Sequence, residues 1–307
     1  MKEDKELSKK LKSVVDGICP NPSEISLAVI DLKTNEIAGV NMDQFIYPAS
    51  IYKVFIAAEI LRQIDSGQRK LDDLIEIRDV NEVDKDNPKF FPKSTHRDHR
   101  PLLKSGERVT IDYLLDLMLT RSDNTASNVL MDVADRESIN KNIILPNGWS
   151  GSEVTRKFLD RLKEEKEYRV SKITVSNAKH LVEFFYRVEM GQLVNPCVSE
   201  KLKDYMLRWN RDGRSGLYIK EFNEYYRKGG WLEVNGYKWN IWRGIKSAYQ
   251  KGVVIIRYGG DAGVVLGENS HYAIAVLTIT KTKWPWVKFP MRKLSQEIYK
   301  LMENASR

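Results

Sequence analysis

Tyr47-Pro48-Ala49-Ser50-Ile51-Tyr52-Lys53-Val54-Phe55-Ile56-Ala57-Ala58-Glu59-Ile60-Leu61 is the stretch on which the reading of this chain turns. No glycine follows Pro48 until Gly67, and the run between them is strongly helical. Ser50 therefore falls at the first turn of a helix, with Lys53 three residues on. That spacing sets a hydroxyl and an amine on one helical face, one turn apart. The rest of the face is apolar, so the sequence predicts a buried helix that carries its lysine inward. A desolvated lysine loses its proton more readily and can accept one from a neighbouring hydroxyl. The helix start adds free backbone N–H groups and the positive end of a dipole, which favour a developing oxyanion. Ser-x-x-Lys is short, and an N-cap serine before a surface lysine would have the same spelling. The apolar flanks argue against a surface lysine, and the remaining motifs decide between the two.

The chain has 307 residues, 42% hydrophobic and 30% charged, within the range of soluble globular proteins. Its net charge of +8 can attract anionic partners, although a solvated lysine-rich surface accounts for most of it. No stretch of about 18 apolar residues is present, so no membrane span is predicted. No nucleic-acid reading motif accompanies the basic charge, and no nucleic-acid partner is expected. The charged start Met1-Lys2-Glu3-Asp4-Lys5-Glu6 is not a signal peptide. Either the protein is cytoplasmic or a leader was removed before this chain begins. Cys19 and Cys197 do not make a disulfide framework, and two unpaired thiols are expected.

Along the chain, Leu7, Leu11, Val14 and Val15 predict an amphipathic helix over residues 3–17. Residues 25–32 and 36–40 read as a hairpin around Lys33-Thr34-Asn35. Residues 79–107 read as a long polar loop. Its His96, Asp98 and His99 are metal-capable types, but with no further ligand nearby no metal is expected. A helix from Ile111 to Leu119 leads into Thr120-Arg121-Ser122-Asp123-Asn124, a polar break that presents Ser122 and Asn124 between two helical runs. A helix cap formed by Ser122 or Asp123 explains the same break. Further helices are read over 154–167, 176–191 and 198–208. Strands follow at 225–234, 253–256, 262–266 and 272–280, then a helix over 291–303. Strands at both ends and helices between them predict an α+β fold. One antiparallel sheet comes from 1–48 plus 212–307, and a helical subdomain of 49–211 is inserted in it. The site would lie in the cleft between them.

At this point the chain resembles the active-site serine enzymes that react with penicillin, and among them the class A β-lactamases and their close relatives. Ser50-Ile51-Tyr52-Lys53 matches the first motif of that group and Ser122-Asp123-Asn124 the second. Lys228-Gly229-Gly230 is an imperfect third, since the group usually has threonine or serine in the middle. The resemblance extends to the N-terminal helix and hairpin, the strands through Asp261-Ala262-Gly263-Val264-Val265 and Tyr272–Thr278, and the C-terminal helix. It implies Ser50 as nucleophile and Lys53 as participant in its deprotonation. Ser122 would be the proton bridge to the leaving nitrogen. Lys228 would hold Ser122 and attract a substrate carboxylate. Asn124 would bind the substrate amide. The backbone N–H groups of Ser50 and Trp231 would form the oxyanion hole, with Gly229 and Gly230 lining the substrate.

The resemblance implies a small-molecule substrate, either a β-lactam or a D-alanyl-D-alanine-like peptide, with no cofactor. It also implies a monomer working in the periplasm or outside the cell. Three departures qualify it. Gly229 lacks the hydroxyl expected beside a substrate carboxylate. Lys251-Gly252 competes with Lys228 for the third motif. The deacylating glutamate of class A enzymes has no clear counterpart. Aligned on Leu159-Asp160-Arg161, its place falls on Lys163, beside Glu164 and Glu165. Alternatively, Arg156-Lys157-Phe158-Leu159-Asp160 resembles a helical stretch of relatives that lack the glutamate, and a solvated helix face is the favoured reading of these charges. The aromatics Phe222, Tyr225, Tyr226, Trp231, Tyr237, Trp239 and Trp242 around the third motif suit packing better than recognition. Three functions therefore stand at this point. They are a β-lactam hydrolase, a penicillin-trapped peptidase and a non-catalytic binding module, and the intact motifs count against the last.

Overall fold

The computed structural model describes residues 1–18, 24–81, 100–155, 157, 173–208, 216–234, 255–282 and 289–305. A six-stranded sheet draws on both ends of the chain. Its strands are β1 (Lys2–Glu3), β2 (Ile25–Asp31), β3 (Glu36–Val40), β6 (Glu224–Val234), β7 (Ile255–Leu266) and β8 (His271–Thr282), in the order β1-β3-β2-β8-β7-β6. Every pairing from β3 to β6 is antiparallel. The exception is β1, which joins β3 in parallel through Lys2 and Glu3, the second of which the sequence predicts as the start of the first helix.

The sheet is apolar on both faces, and the alternation of strand side chains sorts its residues between two cores. Ala28, Ile30, Ala273, Ala275 and Leu277 join the core under the helices. Leu27, Val29, Tyr272, Ile274 and Val276 join the core on the other face. That second face is closed by α1 (Lys5–Ile18) and α8 (Met291–Ala305). Leu7, Leu11 and Val15 recur on one side of α1, as the pattern predicted. Asp4 starts that helix by accepting from the N–H groups of Glu6 and Leu7.

On the first face lie α2 (Lys53–Asp65), α3 (Ile111–Thr120), α4 (Asn124–Ala134), the short α5 (Arg136–Ile139), α6 (Ala178–Glu189) and α7 (Pro196–Leu207). Nine consecutive residues of α2, Lys53 through Leu61, are buried, so this helix is enclosed on all sides. Its lysine is carried inward with them.

The structure corrects several boundaries. The glycines Gly259 and Gly260 do not break a strand, because β7 runs through them in continuous register with β6 and β8. Residues 74–76 (β4) and 108–110 (β5) pair as a small second sheet on either side of the polar loop predicted over 79–107, and Val109 and Thr110, expected to begin the next helix, belong to β5. Thr110 is also the cap of α3, accepting from Tyr113 N–H at 3.2 Å. Residues 154 and 155 are not helical, and most of the helix read over 154–167 lies outside the described residues. His96, Asp98, His99, Cys19 and Lys251 lie outside them too, whereas Cys197 is exposed. No described helix is long and apolar enough to cross a membrane.

Candidate active site

Ser50 sits on a 3₁₀ turn, Ala49–Tyr52, that runs directly into α2. In such a turn residues i and i+3 eclipse, so Ser50 and Lys53 project from the same side. Ser50 is half-buried and Lys53 is fully buried. The residue before the serine, Ala49, has φ +47°, in the left-handed region that costs a non-glycine residue on the order of 1–2 kcal/mol. Packing of the turn against β6 holds it there.

The Lys53 amine gathers the second motif around itself. It donates to Ser122 O at 2.8 Å, Asn124 Oδ1 at 2.9 Å, Ser122 Oγ at 3.3 Å and Asp123 O at 3.4 Å. A lysine head group carries at most three N–H bonds, so these four contacts cannot all be made at once. The polar break between α3 and α4 is what makes these acceptors available. Ser122 is at φ +62°, the second left-handed non-glycine residue of the site. Asp123 caps α4 through Ala126 N–H at 2.8 Å and pairs with the buried Arg121 at 2.9 Å. Arg121 in turn donates to Arg100 O and Pro101 O. The cap is formed by Asp123, and the same turn sets Ser122 Oγ and Asn124 Oδ1 against the Lys53 amine.

The third motif lies on β6, an edge strand of the sheet among the described residues. An edge strand leaves half of its N–H groups outside the ladder. Gly230 is pressed against the serine turn. A Cβ on it would stand 2.4 Å from Ser50 N, 2.9 Å from Ala49 Cβ and 3.0 Å from Ile51 N. Only a glycine lets the strand approach the Ser50 N–H this closely. Lys228, two residues back on the same face of the strand, is 4% exposed and donates to Gly229 O at 3.2 Å. Burial pushes its amine well below the usual lysine range. The cations Lys53 and Arg227 push the same way, and Asp261 opposes them. Trp231 follows on the strand, its indole largely exposed.

Lys53, Ser122 and Asn124 are thus in direct contact. Ser50 stands one turn from Lys53, and Gly230 packs on its amide. Lys228 is near enough for the Lys53 charge to reach it. Glu164 and Glu165 lie outside the described residues. Among the described residues no group of three or more His, Cys, Asp or Glu side chains is placed to hold a metal. Of the aromatics around the third motif, Phe222 and Tyr225 pack in the core on the far face of the sheet, and Tyr226 packs under the helices.

Two residues of consequence escaped the sequence reading, Arg227 and Asp261. They form a buried ion pair behind the third motif, with Arg227 Nε donating to Asp261 Oδ1 at 2.7 Å and Oδ2 at 2.8 Å. Burial disfavours the Arg227 cation most strongly of any single influence, but the charges and hydrogen bonds of Asp261 and Tyr225 together outweigh it and hold the guanidinium above its ordinary range.

A partly exposed hydroxyl, a buried amine one turn away, a second hydroxyl on that amine and a further buried lysine form an arrangement suited to acyl transfer. The model of the β-lactamase enzyme family matches residues 6–302. Among solved structures, PBP-A has 19% identity and a TM-score of 0.67, with 97% of each chain covered. The TLA-3 extended-spectrum β-lactamase has 15% identity and a TM-score of 0.69, covering 96% of this chain and 99% of its own. A class A β-lactamase from Mycobacterium abscessus has 17% identity and a TM-score of 0.65, covering 96% and 98%. A PBP-A variant solved as an acyl-enzyme complex with penicillin G is similar to the same degree, with a TM-score of 0.66 and 18% identity. Among curated protein sequences none matches the chain. At these identities the structures establish the fold.

Proposed function

Because the chain belongs to the β-lactamase enzyme family, we propose that it is a serine hydrolase that opens β-lactams through an acyl-enzyme on Ser50. The convergence of the Lys53 amine on Ser122 and Asn124, one turn from Ser50, carries this reading. Ser50 Oγ attacks the lactam carbonyl carbon as its proton passes to the Lys53 amine. The carbonyl oxygen, now negative, is stabilised by the N–H groups of Ser50 and Trp231 at the junction where Gly230 lets β6 reach the serine turn. The C–N bond then breaks, and Ser122 delivers a proton to the leaving nitrogen. Lys228 steadies Ser122 and attracts the substrate carboxylate, and Asn124 binds the amide of the substrate side chain. Water releases the acyl group and restores Ser50. In keeping with the family, the work is done in the periplasm or outside the cell, by a monomer.

A second reading, a penicillin-binding D,D-peptidase that deacylates slowly, draws support from Gly229 and from Lys163 standing where class A enzymes carry their glutamate. Mixing the protein with a labelled penicillin and following both the Ser50 peptide and free product separates the two. Sustained release of penicilloate supports the hydrolase, and a long-lived adduct with no release supports the peptidase. No adduct and no product rejects both and leaves a binding module.

A further inference from the structure

The glycine at position 229 has a structural cause. Side chains on β6 alternate between the faces of the sheet, so Arg227 and Gly229 share the face opposite Lys228. Gly229 also stands directly across from Asp261 on β7. A Cβ at residue 229 would lie 2.1 Å from Arg227 Nη2, with Asp261 Oδ1 at 3.2 Å. A second glycine from another segment meets the same pair. At Gly216, φ +68°, a Cβ would fall 1.7 Å from Asp261 Oδ2 and 2.8 Å from Arg227 Nη2. Two backbones are therefore bared to one buried ion pair. The carboxylate also accepts from Leu217 N–H at 2.8 Å and from Tyr225 OH at 3.2 Å. Asp261 is fully buried and Arg227 7% exposed.

We propose that the Arg227–Asp261 pair is the positioning device of the third motif, fixing β6 behind Lys228 and occupying the space that the middle side chain of the motif would need. Arg227 and Asp261 act through Lys228 rather than on substrate. The missing hydroxyl at 229 is displaced by the pair, so restoring it alone cannot improve the site. Among the described residues, the charged groups that act on Lys228 are Lys53 of α2, Arg227 of its own strand and Asp261 of β7. Asp261 is the only anion among them, and removing its charge makes the lysine easier to deprotonate. This inference rests on the proposed role of Lys228, and its test therefore has an arm that needs no activity.

In the first arm, Asp261→Asn keeps the shape and loses the charge. Penicillin acylation of this variant should lose its alkaline limb about one pH unit earlier than in the wild type. Arg227→Lys, which keeps both charges, should leave the limb in place. In the second arm, urea midpoints are compared for Gly229→Ser in the wild-type and Arg227→Lys backgrounds. The lysine lacks the Nη2 group that crowds residue 229, so the serine should lower the midpoint at least twice as much in the wild type. An unmoved alkaline limb in a folded Asp261→Asn protein, or equal midpoint losses in the two backgrounds, would overturn the proposal. If wild-type protein never acylates, the proposed function fails while the urea arm still decides this one.

Discussion

Replacing Gly230 by alanine is the sharpest single perturbation of the site, because the added atom has nowhere to go. Its Cβ would stand 2.4 Å from Ser50 N and 3.0 Å from Ile51 N, whereas ordinary contact begins at 3.4 Å. Both neighbours are backbone, in a turn that leads into an enclosed helix, so β6 must retreat by about 1 Å. Overpacking of this kind costs about 1–3 kcal/mol of stability. The larger effect is on the reaction. A 1 Å misplacement costs on the order of 10²-fold, and an oxyanion donor is worth about 10²–10³-fold. The rate constant for penicillin acylation should therefore fall at least 10²-fold in Gly230→Ala, with a folded protein and a urea midpoint only modestly lowered. Gly17→Ala is the control. Gly17 lies within α1, and a Cβ there would meet nothing within 4 Å. It should leave acylation unchanged and stabilise the helix by less than the roughly 0.5–1 kcal/mol of a mid-helix exchange, because Gly17 is next to the last residue of α1. Acylation by Gly230→Ala within about threefold of wild type would refute the idea that the close approach of β6 builds the site.

Other expectations follow from the same contacts. Lys53→Met removes the amine on which Ser122 and Asn124 converge, and acylation should fall about 10²–10⁴-fold in a stopped-flow measurement. Asp123→Ala removes the cap of α4 and the carboxylate paired with Arg121, which should cost about 2–4 kcal/mol in urea denaturation. His180, bonded to Ser152 Oγ at 2.8 Å, has its pKa lowered to about 4 by burial, with Lys179 adding and Asp43 opposing. The unfolded chain then binds the proton more readily, so stability should fall as pH drops from 6.5 to about 4. The loss should be up to about 3 kcal/mol, because the imidazole is buried, and a His180→Asn variant should lack this slope.

The parts of the fold that sequence reveals are those with strong periodicity. The apolar stripe of α1, the hairpin of β2 and β3 and the enclosed α2 all announce themselves in local pattern. The break at Ser122-Asp123-Asn124 is legible because a polar cluster interrupts two apolar helices. Other features depend on distant partners. β4 and β5 are three residues each, and only their pairing across the chain makes them strands. Gly259-Gly260 looks like a turn, yet the glycines sit inside a strand because a Cβ at Gly260 would strike Val276 O and Ile51. Arg227 and Asp261 are 34 residues apart, and nothing local marks either as buried. Gly229 could be read as a departure from the motif, but its cause lies in that pair.

The most direct test of the site is a crystal structure of the protein soaked with a penicillin. Continuous density should join Ser50 Oγ to the opened lactam carbonyl carbon, with the carbonyl oxygen within hydrogen-bond reach of the N–H groups of Ser50 and Trp231. The Lys53 amine and Ser122 hydroxyl should line the same pocket. Density bonded to any other side chain, or an intact lactam resting away from the serine turn, would contradict it.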